Sequence, residues 1–401
     1  MMNKLIQVYR YIRYCFCRYI KYRYYKNHKI NFDCTLTKVS RRKEFYFGYY
    51  NLSPENKTGS IIFCDLSKPR GKEIPVILNK EGREYEIGTT AAFNLQQGCM
   101  AQWGYSNDNL IYYNRYNKIT NAYECIIYNT DLMQECDILP MPIYALSKQE
   151  DYALSLNFER LSEMRPDYGY FCRQEHDMPD NRNDGIWKID MATKQTKLII
   201  TLQQLIDLNP APSMEGARHK VNHIDINPDG SRFMFLHRWV GLQGRFMRLI
   251  TADRDGKNLF ILNGDKMTSH CCWNGINRII SFCHTERYGE AYVEFKDLST
   301  EYRIISNALP HVDGHPTISP DRKWIVTDRY PEFHRFSELF LYNIETNKCF
   351  TVGRFYQPLK YFKTSRIDLH PKWSMLGDKI YFESGHSGYR RLYSINIHNI
   401  S

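Results

Sequence analysis

One pattern of apolar and polar positions returns along most of the chain. It starts at an apolar position, passes through Asn or Ser to a turn containing Pro, Asp or Gly, and continues into β-branched and aromatic residues. Runs of this kind, bounded by turn residues, are typical of short β-strands. The clearest copies are residues 223–230 (HIDINPDG), 270–275 (HCCWNG), 315–322 (HPTISPDR) and 370–377 (HPKWSMLG).

Seven copies can be placed in register, starting at residues 49, 100, 143, 223, 270, 315 and 370. Further strand-like runs follow each start, so that four short strands make one unit. Seven such units predict an all-β fold, a seven-bladed β-propeller. The last unit has only three strands of its own, which would leave an open sheet edge. Residues 31–39 (NFDCTLTKV) alternate well enough to supply the fourth, and we expect this N-terminal strand to close the ring.

Histidine occupies the first position of four consecutive units, although the chain has only 13 histidines. The first strand of a propeller blade lines the central channel, so these imidazoles should converge at one end of it. Imidazole nitrogens bind divalent ions such as zinc, and the pattern therefore predicts a metal site or another functional channel mouth. A polar mouth that binds only water is the alternative. The four residues are His223, His270, His315 and His370.

The second strand of each unit is expected to end at the same mouth. Two long insertions, residues 159–184 and 201–222, are predicted to cover this end, with a short helix at residues 202–208 in the second. Elaborate loops over one face favour a ligand cleft there. Fourteen residues after each start, the units carry Phe63, Asn114, Asn157, His237, His284, Arg329 and Ser384.

Positive charge is concentrated at the beginning of the chain. The net charge of +10 lies within residues 1–45, and the remainder holds 42 basic and 42 acidic residues. The body therefore lacks the basic surface that nucleic-acid binding requires, and no nucleic-acid partner is expected. We divide the chain into a basic extension, residues 1–30, and a propeller, residues 31–401.

Within the extension, apolar residues recur at helical spacing between basic ones. A cationic helix of this kind is typical of peripheral contact with an anionic membrane surface, here through residues 4–26. A poorly ordered basic tail, or a helix packed on the body, is the alternative. The apolar positions are Leu5, Val8, Ile12, Phe16, Tyr19 and Ile20, with Arg10, Arg13, Arg18, Lys21, Arg23 and Lys26 between or after them.

The twelve cysteines and the N-terminal residues indicate the cellular compartment of the protein. No Cys-x-x-Cys pair occurs, and the N-terminus has no apolar core followed by a cleavage site. We therefore expect a reducing, cytoplasmic compartment, with peripheral membrane attachment through the extension as an option. A Gly-x-Ser-x-Gly elbow and a phosphate-binding glycine loop are also missing from the sequence, which disfavours a serine peptidase and a nucleotide-binding enzyme.

Several stretches resemble the seven-bladed propeller polysaccharide lyases of the oligogalacturonate lyase and ulvan lyase type. They are similar too to the TolB/WD40-like propeller proteins of bacterial polysaccharide gene clusters. The likeness begins near residue 44 and leaves the extension outside. The stretches are residues 45–53 (FYFGYYNLS), 94–100 (NLQQGCM), 222–239 (NHIDINPDGSRFMFLHRW), 269–273 (SHCCW), 313–330 (DGHPTISPDRKWIVTDRY) and 366–393.

The resemblance implies β-elimination on a uronate-containing chain, assisted by a divalent metal ion, zinc or manganese. It implies that His223, His270, His315 and His370 form the metal region. Arg218, Arg238 or Arg329 would neutralise the substrate carboxylate, and His219, His237 or His284 would be the base. The candidate substrate-binding residues are Asn114, Asn157, Asn222, His386 and Arg390.

The sequence thus favours a carbohydrate-active lyase whose partner is an acidic oligo- or polysaccharide. A non-catalytic propeller that binds glycan or protein partners in capsule or exopolysaccharide assembly is the main alternative. A glycoside hydrolase is less favoured, because hydrolysis uses a pair of carboxylates and the row fourteen residues after each start has none.

Overall fold

The computed structural model describes residues 8–9, 11–12, 28–31, 35–173, 177–264 and 266–397. Seven antiparallel sheets form the blades of a β-propeller, as the sequence predicts. Most blade strands are buried on both faces, because each sheet packs between two neighbours. In the second strand of the third blade, Tyr152–Leu156, all five residues are buried.

The strands follow one another from the channel outward in every blade. Before the first blade lie β1 (His28–Ile30) and β2 (Leu36–Lys38). Blades one to three contain β3 (Phe45–Tyr46), β4 (Ile61–Asp65), β5 (Ile74–Lys80), β6 (Arg83–Thr90), β7 (Gln102–Trp103), β8 (Leu110–Asn117), β9 (Ala122–Asn129), β10 (Gln134–Leu139), β11 (Ala145–Leu146), β12 (Tyr152–Leu156), β13 (Gly185–Asp190) and β14 (Thr196–Thr201).

Blades four to seven contain β15 (Arg218–Ile226), β16 (Arg232–Gly241), β17 (Gly244–Asp253), β18 (Phe260–Asn263), β19 (Thr268–Trp273), β20 (Arg278–Thr285), β21 (Gly289–Lys296), β22 (Tyr302–Ile304), β23 (Thr317–Ile318), β24 (Trp324–Arg329), β25 (Phe336–Asn343), β26 (Lys348–Tyr356), β27 (Lys372–Trp373), β28 (Lys379–Ser384) and β29 (Arg391–Asn396). The insertions add α1 (Phe158–Met164), α2 (Leu202–Leu208) and two short 3₁₀ turns, Pro212–Met214 and Lys363–Ser365. The helix predicted at residues 202–208 is confirmed, and Thr201 caps it together with Gln204.

The N-terminal strands contribute to two different blades. β2 pairs antiparallel with β29 and occupies the fourth position of the last sheet, where the sequence predicts a closing strand. β1 pairs with β26 and adds a fifth strand to the sixth blade. The chain thus joins the outer edges of two adjacent blades before it enters the first, and the propeller includes residues that the sequence assigns to the extension.

Tryptophans at the same repeat position connect neighbouring blades near the channel. Each lies three residues after a repeat start, is almost fully buried, and donates its indole N–H to a backbone carbonyl of a different blade. A buried indole normally needs such an acceptor, so this position fixes the approach of adjacent first strands. The pairs are Trp103 to Pro54 (2.8 Å), Trp273 to Asp225 (3.0 Å) and Trp373 to Thr317 (3.3 Å).

A buried carboxylate joins the last blade to the first. Glu383 on β28 accepts hydrogen bonds from the backbone N–H groups of Phe47 (3.2 Å) and Gly48 (2.6 Å). It also pairs with Arg390 at 3.2 Å and lies 3.8 Å from the Lys372 ammonium. All three charged side chains are at most 2% exposed, so each buried charge depends on its oppositely charged neighbour for stabilisation.

The predicted N-terminal helix lies mostly outside the described residues. Val8, Tyr9, Tyr11 and Ile12 are described as helical and more than half exposed. The remaining apolar and basic positions of that prediction lie outside. No described helix has the length and apolar character that spanning a membrane would require.

Replacement of Glu383 by Ala should lower the free energy of unfolding by about 3–5 kcal/mol, because it leaves Lys372 and Arg390 buried without their partner. Glu345→Ala is the matched control, since Glu345 is 62% exposed and pairs with Lys323 at 3.6 Å; its loss should cost about 0–1 kcal/mol. Urea unfolding followed by tryptophan fluorescence measures both. Equal midpoints for the two variants would contradict the role assigned to Glu383.

Candidate active site: the histidine ring

The four repeat-start histidines meet at one end of the channel. Their ring centroids are separated by 5.0 Å from His223 to His270, 4.0 Å from His270 to His315 and 4.3 Å from His315 to His370. All four residues are at most 3% exposed. We call this group the histidine ring; the geometry brings together the set that the repeat register selects.

A local break in the first strand aims three of these side chains. His223 and His370 have positive φ angles of 54° and 46°, and Met100 at the equivalent position has 53°. The pairing of β15 with β16 shifts register between Asn222 and Asp225, and that of β19 with β20 shifts across His270. Bulges re-aim side chains near functional sites, and non-glycine residues adopt this conformation only where the surroundings enforce it.

Two tyrosines of the first blade form the floor of the ring. The Tyr50 ring lies 5.4–6.4 Å from all four imidazoles, and its hydroxyl bonds to the backbone of Cys271. The Tyr49 hydroxyl is hydrogen-bonded to Nδ1 of His223. Below Tyr50 the channel widens into a cavity of about 890 Å³. Tyr50 therefore lies between this cavity and the ring.

The imidazoles differ in protonation. Burial and neighbouring positive charges hold the pKa of His223, His270 and His370 well below the usual range, so these rings are neutral at pH 7. Burial also acts on His315, but the Asp328 carboxylate, 2.8 Å from its Nδ1, raises the pKa of this residue. Tyr330 reaches Nε2 of the same imidazole at 3.5 Å.

One part of the ring can hold a metal ion. Ligand atoms of His315, Asp368 and His370 all lie within 4.8 Å of one another, and all three residues are buried. Both ring nitrogens of His370 and one carboxylate oxygen of Asp368 lack a hydrogen-bond partner within the described part of the chain. Buried polar atoms without partners are rare, and a mixed imidazole and carboxylate set suits zinc or manganese. The residues therefore fit a divalent cation. Asp368 is a ligand candidate that the sequence does not single out.

Positively charged side chains border the ring on the side of blades three and four. Arg238 on β16 is half-buried and makes no hydrogen bond or ion pair with any residue that the structure describes. Burial and the adjacent imidazoles contribute most to the low pKa of His223 and His270, and the charge of Arg238 contributes next. From the insertion after α1, Tyr168 lies 6.0 Å from the His223 ring, and the Arg165 guanidinium stacks on Tyr168 at 4.0 Å.

The residues fourteen positions after each start do not converge on the ring. Side chains alternate along a strand, so a one-residue offset reverses the face. In blade four, His237 lies opposite Val221 and bonds to His219 at 3.0 Å, whereas Arg238, the next residue, lies on the other face. In blade six, Asp328 and Tyr330 touch His315, while Arg329 between them pairs with Glu332 and Glu338.

The other predicted residues take varied positions. His284 bonds through its backbone, donating its N–H to Met267 and accepting from the side-chain amide of Asn263, and Arg218 is exposed at the start of β15. Asn222 is fully buried, and neither the oxygen nor the nitrogen of its side-chain amide has a partner among the residues described. The remaining four stabilise the scaffold: Asn114 bonds to Ile143, Asn157 caps α1, His386 bonds to Ser384, and Arg390 bonds to Glu383 and three backbone carbonyls.

Comparison with known proteins supports the fold. No protein-family model and no curated protein matches the chain. Among solved structures, an oligogalacturonate lyase from Vibrio parahaemolyticus aligns with a TM-score of 0.64 at 12% identity, covering 92% of this chain and 97% of that one. An oligogalacturonate lyase in complex with manganese aligns with a TM-score of 0.62 at 14% identity over the same shares. The chain has the propeller fold of these lyases.

Asp368→Asn and His370→Gln should each weaken Mn²⁺ binding by about 100-fold or more, because each removes a direct ligand and outer-shell changes alone cost about 10–100-fold. Isothermal titration calorimetry on chelator-treated protein measures this. His311→Gln is the control, since His311 is exposed and its imidazole hydrogen-bonds to the backbone of Glu290. If all three variants bind Mn²⁺ with wild-type affinity, Asp368 and His370 are not its ligands.

Proposed function

We propose that this propeller is a lyase that cleaves a uronate-containing oligo- or polysaccharide by β-elimination. The observation that carries the proposal is Arg238, a half-buried guanidinium without an anionic partner beside neutral imidazoles. A desolvated cation needs a counter-charge, and the site supplies none for Arg238 among the described residues. A substrate carboxylate would provide it, in the bidentate geometry that guanidinium groups favour.

The electrostatic demand of β-elimination matches this arrangement. Removal of the proton at C5 of a uronate leaves negative charge that spreads into the adjacent carboxylate, so positive groups must lie beside that carboxylate in the transition state. Arg238 would hold the carboxylate from one side, and Arg165 from the insertion adds a second positive charge nearby. Preformed charges of this kind need no reorganisation when the proton leaves.

The metal candidates lie on the other side of the same ring. His315, Asp368 and His370 would hold the ion, and Asp328 would orient His315. When bound, a divalent cation supplies Lewis-acid stabilisation of the carboxylate. Zinc and manganese both fit the ligand types, and the manganese in the lyase structure described above favours manganese.

A proton donor for the departing sugar is also present. The Tyr168 hydroxyl is buried and has no partner among the described residues. Burial raises its pKa, although Arg165 acts against this, so the phenol keeps its proton at neutral pH. In the proposed reaction the C5–H electrons form the C4–C5 double bond, the C4–O bond breaks, and Tyr168 protonates the leaving oxygen before recovering its proton from water.

Binding without cleavage is the alternative function. Tyr50 fills the centre of the channel below the ring and limits access to one face, which would suit a propeller that only presents a glycan or protein ligand. The assay below separates the two functions, because a binding protein would titrate with the oligosaccharide without yielding an unsaturated product.

Purified protein with Mn²⁺ should release unsaturated products from oligogalacturonate, or from another oligouronide in a panel, as a rise in ultraviolet absorbance. Arg238→Met should lower kcat/KM by about 10²–10³-fold, the usual effect of removing one transition-state donor. Arg218→Met changes the exposed arginine of the adjacent strand and should have little effect. Binding without any product would favour the alternative function; equal activity of both variants would remove Arg238 from the reaction.

A further inference from the structure

Lys220 is a buried lysine for which the fold provides no partner. It lies on β15, is 4% exposed, and forms no hydrogen bond or ion pair with any described residue. An ammonium group that is buried without a partner lowers the stability of the folded state strongly. A lysine retained in such a position is a candidate for chemistry rather than for stability.

The β-sheet register places Lys220 beside the proposed carboxylate clamp. Lys220 and Arg238 are directly opposite each other on β15 and β16, so their side chains share one face. Directly opposed residues in an antiparallel pair have Cβ atoms about 4.5–5.5 Å apart. Both head groups can therefore reach the same sugar residue, one at its carboxylate and the other at the adjacent carbon.

The charges around Lys220 favour its neutral form. Burial, followed by the positive charges of Arg238 and Arg165, lowers the pKa of Lys220 to about 7; Asp167 acts in the opposite direction, and Arg245 adds a smaller lowering. A lowered pKa means that the amine is protonated below pH 7 and increasingly free above it. A free amine has the lone pair that a general base requires, and a base with a pKa near the working pH is the most effective.

The alternative bases are less well placed. His219 and His237 lie on the opposite face of the same strands and bond to each other. His315 is committed to Asp328, and Nδ1 of His223 is committed to Tyr49. Nε2 of His219 and Nε2 of His223 are both buried without a partner among the described residues, but only that of His223 belongs to the histidine ring, so His223 is the rival to test.

We propose that Lys220 is the general base that removes the C5 proton of the uronate bound to Arg238. The amine nitrogen forms a bond to the proton, the C5–H electrons become the C4–C5 double bond, and the C4–O electrons leave with the departing oxygen, which Tyr168 protonates. The resulting ammonium returns its proton to water. This inference rests on the proposed lyase function and adds to it the identity of the base.

The experiment compares wild type, Lys220→Met, Lys220→Arg and a control, Lys148→Met, on oligogalacturonate with Mn²⁺. Lys148 is exposed and lines the cavity on the far side of Tyr50. We expect kcat of both Lys220 variants to fall by about 10²–10⁴-fold, the usual contribution of a general base, while calorimetric binding of the oligosaccharide changes much less. The control should match wild type.

Two further readouts distinguish a base from a structural lysine. Methylamine added to Lys220→Met should restore part of kcat, and more so at higher pH, where the free amine is abundant. In wild type, kcat should rise with pH through about 7 and then level off, because only the unprotonated Lys220 is active. This rising limb of the pH profile should be missing from Lys220→Met.

The outcomes separate the two proposals. If wild type cleaves and Lys220→Met retains kcat within tenfold, Lys220 is not the base and the lyase function stands. The same conclusion follows if Lys220→Met loses activity, is not rescued by methylamine, and its remaining kcat still rises with pH through about 7. If His223→Gln removes the limb and Lys220→Met does not, the imidazole is the base. If wild type cleaves no uronide in the panel, the lyase function fails, and the role of Lys220 fails with it.

Discussion

The site depends on breaks in the first strands at the repeat starts, which appear as a positive φ at His223 and His370 and as a register shift across His270. A regular strand would leave the side chain at this position within the stack of blades, but the positive φ of His223 and His370 turns both imidazoles to the channel axis. Seven blades bring seven such positions around one axis, and four of them carry histidine. Because the inter-blade hydrogen bonds of Trp273 and Trp373 hold the strand just after the breaks at His270 and His370, the local strain is retained in the folded protein.

Convergence of these rings accounts for the electrostatics of the site. Four imidazoles within contact distance cannot all be protonated, and burial acts in the same direction, so three remain neutral and available as ligands. His315 differs because Asp328 provides a counter-charge. Arg366 similarly balances Asp368 at 2.9 Å. The acidic and basic groups are therefore distributed unequally: carboxylates lie on the side of the candidate metal ligands, and Arg238 and Lys220, which have no partner among the described residues, lie on the other.

The sequence alone predicts much of this arrangement, since repeat spacing reveals the number of blades and repeat register reveals which histidines meet. The residues that the second strand of each blade directs at the ring are harder to predict, because successive side chains along a strand point to opposite faces. Counting fourteen residues selects His237 and Arg329, whereas the structure places Arg238, Asp328 and Tyr330 at the ring. Tyr168 comes from an insertion whose path no repeat constrains, and no sequence signal identifies its position.

The combination of Arg238 and Lys220 bears on whether this propeller catalyses or only binds. A protein that needs to hold an acidic glycan gains from cations that remain charged, and exposed arginines serve this purpose at little cost to stability. Burial of a lysine between arginines does the reverse, because it weakens the positive charge of the amine and destabilises the fold. A neutral amine contributes little to anion binding, but it is what proton removal from a carbon acid requires. This local chemistry is what the proposed elimination, rather than simple recognition, would require.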